Sequence, residues 1–135
     1  MFVRFVAAAK TENPWHADGV ITAARIVRDA EKLAAAHVEA INSAFAWFNE
    51  NIPCPPFSDR LSRKLWTKNA VCWFLAEAEE PLARTWDLAQ VLVEHGTPVL
   101  LLRTLKPGRI VYRDGFQIVA ETPWKPDRGL VTAAL

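Results

Sequence analysis

The chain has 135 residues, 51% of them hydrophobic and 23% charged, with a formal net charge of +1. That length fits one domain with a sizeable core, and the balance excludes a disordered chain. The near-zero charge excludes a protein that meets nucleic acid or a membrane surface through a global field, so any electrostatic role has to come from local patches.

The opening "MFVRFVAAA" alternates around Arg4 and is rich in Phe and Val, which predicts a strand. Its apolar run is too short, and too interrupted by Arg4, for a signal peptide. No apolar run approaches the length of a membrane span, so no membrane partner is expected. "KTENPWHADG" reads as a loop with Asn-Pro and Asp-Gly turn signals, and Asp18 is placed to cap the helix that follows.

From Val20 to Asn51 the pattern is helical. Val20, Ala24 and Val27 share one face, and Ile41, Phe45, Phe48 and Ile52 line another. One helix of that length would be long for a small domain, so two are expected, with a break near Asp29 to Leu33. Pro53, Pro55 and Pro56 then stop the helix. "FSDRLSRKLWTKN" reads as irregular chain or a short helical turn. "AVCWFLA" reads as a buried strand.

Glu77, Glu79, Glu80 and Pro81 mark the start of a helix with Leu82, Trp86, Ala89 and Val93 at helical spacing. Gly96 and Pro98 end it. "PVLLLRT", "RIVYRD" and "FQIVAETP" read as three strands joined by "KPG" and "DG" turns, a meander. "AVCWFLA", helix and "PVLLLRT" form a β-α-β unit whose strands could pair in parallel. The expected fold is therefore α/β (α+β), a two-layer domain. It has a mixed sheet of about five strands with two or three helices, in the order β-α-(α)-β-α-β-β-β. The single domain runs over 1–124, and 125–135 reads as a flexible tail.

The strings "WFNENIPCPP", "CWF" and "HGTPVLLLRTLKPGRIVYRDGFQIVAE" together resemble a pattern found in a group of small bacterial proteins with no assigned activity. The resemblance covers most of Phe2 to Glu121. The chain departs from it in carrying Cys54 within the proline run and Arg113 before Asp114. It implies a bacterial, cytoplasmic protein and brings no site residue with it.

Catalytic constellations are sparse. His95 lies at a helix C-terminus, where it complements the dipole, and His37 lies in a helix and is expected to face solvent. His16 with Asp18 could do acid-base work, although loops often carry such pairs idly. No nucleophile elbow, zinc helix or glycine-rich phosphate loop is present. No cofactor and no metal site is expected. Cys54 and Cys72 are neither metal-spaced nor a disulfide framework, and they read as buried thiols in a reducing compartment.

Two features suggest contact with other molecules. Arg60, Arg63, Lys64 and Lys68 surround Trp66, and Arg103, Lys106, Arg109 and Arg113 form a second basic group. Together they could meet a nucleic acid or a phosphorylated ligand. Six tryptophans are many for this length. Trp73 and Phe74 must point to opposite faces of their strand, so either both faces are covered or an aromatic is exposed. The expectation is a non-enzymatic cytoplasmic domain that contacts a protein partner or itself through Trp and basic residues. Nucleic-acid or phosphorylated-ligand binding through 60–68 and 103–113 is the alternative.

Overall fold

The computed structural model describes residues 1–7, 17–30, 33–53, 69–123 and 131–135. Within them lie β1 (Phe2–Ala7), α1 (Val20–Asp29), α2 (Ala35–Asn51), β2 (Ala70–Leu75), α3 (Glu79–Glu94), β3 (Val99–Thr104), β4 (Arg109–Arg113), β5 (Gln117–Glu121) and β6 (Val131–Ala134). The α+β class stands, and the long helical stretch does divide into two, α1 and α2. Part of the expected tail, residues 131–134, is β6, paired antiparallel with β3.

The helix ends follow local chemistry with one exception. Glu79, Glu80 and Pro81 open α3, and Gly96 beyond its end has φ +94°, a left-handed stop that glycine adopts at least cost. Asp18, however, does not cap α1. The N-cap is Gly19, extended at φ −65° and ψ 157°, with no side-chain cap. Residues 17–19 are instead drawn alongside β1. The Ala7 amide donates to the Asp18 carbonyl at 2.8 Å, and Val6 bridges Gly19. The buried stripe of α3 also differs from the expected one. It runs through Pro81, Thr85, Leu88, Ala89 and Leu92, which leaves Trp86 42% exposed.

The strand order is β4-β5-β2-β1-β3-β6, and every neighbouring pair is antiparallel. This corrects two expectations. The sheet is not mixed: β2 and β3 do run in the same direction, but β1 lies between them. Nor do the β3, β4 and β5 strands form a meander. β4 and β5 pair as a hairpin, while β3 lies beyond β5, β2 and β1. Turn signals fix where the chain bends but not which neighbour a strand chooses, and β1 takes the place beside β3.

That order has a geometric consequence. In a flat sheet β3 and β4 would lie about 19 Å apart, at roughly 4.8 Å per strand. The four residues between them allow five Cα steps, reaching at most about 18 Å. β4 also begins at the opposite end of the sheet from where β3 stops. The sheet must therefore coil strongly. The connection is pinned where the coil brings it: Trp73 Nε1 donates to Thr122 Oγ1 at 3.2 Å, and Thr122 Oγ1 donates to the Pro107 carbonyl at 2.7 Å.

Both faces of the central strands are buried. Val3, Phe5, Val99 and Leu101 pack with Ile41, Leu88 and Leu92 of the helices. On the other face Val6, Trp73, Leu102, Ile118 and Ala120 form a second cluster. Covering both faces resolves the Trp73–Phe74 question. Trp73 is only 1% exposed, and Phe74 stacks on Phe48 of α2 with ring centroids 6.3 Å apart.

Two glycines test this geometry. Gly108 has φ +110°, and a side chain there would overlap the Glu121 carbonyl; Gly96 has φ +94° with open space around it. Gly96→Ala should cost about 1–2 kcal/mol, the conformational penalty alone. Gly108→Ala should cost clearly more, about 3 kcal/mol or above once overlap is added. Urea unfolding of the two variants checks the order; equal costs would contradict the tight approach of the connection to β5.

Candidate functional site

The β1–β2 ladder is short. Phe2 pairs with Leu75 and Val3 with Phe74, whereas β1 keeps pairing with β3 through Ala7. Beyond Val3 the two strands part, and residues 17–19 enter beside β1 in place of β2. Such a fork leaves carbonyls without ladder partners, and a buried carbonyl needs one. Arg4 supplies it on both sides. Its Nη1 donates to the Cys72 carbonyl on β2 at 3.1 Å, and its Nη2 to the Ala17 carbonyl at 2.7 Å. Burial pushes the Arg4 pKa down, while the neighbouring Cys72 and Asp18 push it back up to a lesser degree. No carboxylate lies within 4 Å of the guanidinium among the described residues. Its Nε is sealed from solvent and has no hydrogen-bond partner.

The fork opens into a cavity of about 470 Å³ between the helices and β2. Phe5, Val20, Phe48, Ile52 and Phe74 wall it, and Arg4, Cys72, Thr85 and Gln117 bring polar atoms to it. Each polar group is positioned by a separate element. The Thr85 hydroxyl donates back to the Pro81 carbonyl at 2.7 Å within α3. Gln117 Nε2 donates to the Pro53 carbonyl at 2.8 Å, tying the end of α2 to β5. The first turn of α1 (Val20, Ile21 and Thr22) also lines the space.

Gln117 is held in turn by Asp114 in the β4–β5 turn. The Asp114 carboxylate accepts from the Phe116 and Gln117 amides, from the Tyr112 hydroxyl and from Gln117 Nε2, at 2.7 to 3.1 Å. Partial burial alone would raise its pKa, but these four donors outweigh it and hold the carboxyl below its usual value.

The basic and aromatic residues expected to make contacts are distributed differently. Arg60, Arg63, Lys64, Trp66 and Lys68 lie outside the described residues, as do His16, Cys54, Trp15 and Trp124. Arg109 is paired with Glu121 through two bonds of 2.7 and 3.1 Å, which raise its pKa and lower that of Glu121. Arg103 is exposed beside Trp86, in a groove also lined by Met1 and Leu82. Lys106 is exposed in the β3–β4 connection, its amide donating to Thr104 Oγ1 at 3.0 Å. With Arg109 engaged by Glu121, the second basic group is not a row of open cations. His37 Nε2 lies 2.8 Å from Glu94 Oε2, linking α2 to α3 rather than simply facing solvent. His95 is the exposed C-cap of α3.

Sequence reasoning passed over Arg4, Gln117 and Asp114. For Arg4 the signal was present, since a charged residue amid Phe and Val in a strand buried on both faces needs a partner. Nothing in the sequence placed Gln117 or Asp114 beside a cavity.

Among the described residues no helix is long and apolar enough to cross a membrane. No group of three or more His, Cys, Asp or Glu there could hold a metal ion. No protein-family model, curated protein or solved structure matches the chain.

The Asp114 network predicts a pH dependence. A carboxyl whose folded pKa is depressed stabilises the fold above its unfolded value of about 3.9, and that stability is lost as pH falls through the folded pKa. Asp114→Asn should therefore be less stable than the parent by about 1–2 kcal/mol at neutral pH. The gap should narrow as the pH is lowered below about 4. Chemical denaturation at a series of pH values measures it; a gap that does not change with pH would contradict the assigned network.

Proposed function

We propose that the protein is a non-enzymatic binding domain that takes a small, largely apolar molecule into the cavity between its helices and β2. The observation that carries this reading is the cavity itself. Its volume of about 470 Å³ falls within the range of small-molecule sites, roughly 300–1,000 Å³. Its composition is of that kind too, with aromatic and aliphatic walls and a few fixed polar groups. Those polar groups are held by backbone carbonyls and by Asp114, so the site is largely formed before a ligand arrives and ordering it costs little. The sparse cysteine content and the resemblance to small bacterial proteins support a bacterial, cytoplasmic setting.

A second reading, contact with a protein partner or with another copy of the chain, draws on Trp86. It is 42% exposed, edge-on to Phe5 at 6.0 Å, and adjoins Arg103 in the groove described above. The nucleic-acid alternative is weakened by the pairing of Arg109 with Glu121. Light scattering of the parent and Trp86→Ala separates the contact reading: a mass above the monomer that falls in the variant supports it, and a monomer in both at high concentration removes self-association.

The cavity reading is tested with the neutral fluorophore N-phenylnaphthylamine. Saturable enhancement is expected with the parent protein. Ala70→Phe, which places a phenyl group at the cavity wall, should weaken binding at least tenfold while leaving thermal unfolding within a few degrees. Absence of saturable binding, or binding undiminished in Ala70→Phe, overturns the reading.

A further inference from the structure

We infer that the cavity selects a monoanion, an apolar molecule bearing one carboxylate, whose head is received by the Arg4 guanidinium and the first turn of α1. The inference rests on the cavity reading above and adds the chemical class of the ligand.

Three independent observations converge on it. The first is charge. Among the described residues no carboxylate lies within 4 Å of the Arg4 guanidinium, so Asp18 and Cys72 act on it only through space. A cation beside apolar walls without a directly bonded counter-charge is costly. Its two carbonyl partners orient the guanidinium but do not neutralise it. The second is the guanidinium's incomplete bonding. Its Nε–H is sealed from solvent without an acceptor, and such orphaned donors are rare in folded proteins, so a ligand in the cavity meets the Nη groups rather than Nε. A carboxylate suits a guanidinium because both are planar and form charge-assisted bonds.

The third is the start of α1. The ten-residue helix has Gly19 at its N-cap, no side-chain cap and no acidic residue in its first turn. Its amides thus lack the side-chain acceptor that most helix starts carry. Gly19 lies against the guanidinium, since a Cβ added there would stand 3.5 Å from Arg4 Nη1. The positive end of the helix and the cation therefore adjoin, and both line the same cavity. A helix N-terminus favours an anion, and here a fixed cation adds to the preference.

The number of charges sets the class. Arg4 is the single Lys or Arg among the described residues lining the cavity. A phosphomonoester near neutral pH carries close to two negative charges and would leave one unmatched. A monocarboxylate matches the charge, and its hydrocarbon body matches the walls.

Isothermal titration calorimetry with phenylbutyrate and its neutral isostere phenylbutyramide tests the inference. The parent protein should bind the carboxylate at least tenfold more tightly than the amide, and Arg4→Met should reduce that preference below threefold while still binding the amide. The comparison of two ligands on the parent protein stands even if the variant does not fold. Equal affinities for the two ligands, or binding of neither while N-phenylnaphthylamine binds, overturns the anion site and leaves the cavity reading in place. A preference that survives in Arg4→Met also overturns it. Binding of none of the three overturns both.

Discussion

The guanidinium of Arg4 occupies the fork where β1 and β2 part, and the arrangement of this end of the molecule depends on it. If β2 continued along β1, the Cys72 carbonyl would enter a ladder, residues 17–19 would have no strand to lie against, and α1 would start elsewhere. Instead two carbonyls on opposite sides of the fork share one cation. Each charge-assisted bond contributes about 1.5–3 kcal/mol, while removing the cation from water costs several. The two effects are of similar size, so the fork is held in place without a surplus of stability. The unmet Nε–H is the visible remainder of that balance.

The fork also explains why the cavity lies where it does. A regular antiparallel pair closes the space between its strands with a ladder of backbone hydrogen bonds. Here β2 diverges, the helices follow β1 and β3, and the gap is lined from several elements at once. The coil of the sheet contributes as well. By bringing the β3–β4 connection over the Trp73 face, it buries that face and leaves Phe74, Cys72 and Ala70 turned to the helices. One face of β2 therefore completes a sealed core, and the other walls the cavity.

Much of the secondary structure was legible because its causes are local. Glu79, Glu80, Pro81 and Gly96 bound α3 through dipole, missing donor and backbone freedom, and the break near residues 30–34 follows from the length of the helical run. The pairing of strands was not legible in the same way. A four-residue link between β3 and β4 looks like a hairpin, but β1 and β6 occupy the two edges of β3 and leave β4 no place beside it. Asp18 illustrates the same limit: a sound capping residue was overridden when tertiary pairing drew its backbone to β1. The site was partly legible. Arg4 stood out as a charge in an apolar strand, but its meaning required knowing that both faces of that strand are buried. Gln117 and Asp114 came together with the cavity only through the fold.

The most direct measurement is the ¹⁵N–¹H resonance of the Arg4 Nε–H group during titration with phenylbutyrate and then with phenylbutyramide. A saturable downfield proton shift with the carboxylate, absent with the amide, is the result expected if the guanidinium receives the carboxylate. An Nε–H resonance that stays still while Phe48, Phe74 and other cavity residues respond to the carboxylate would contradict it, and would leave Arg4 as a purely structural clasp.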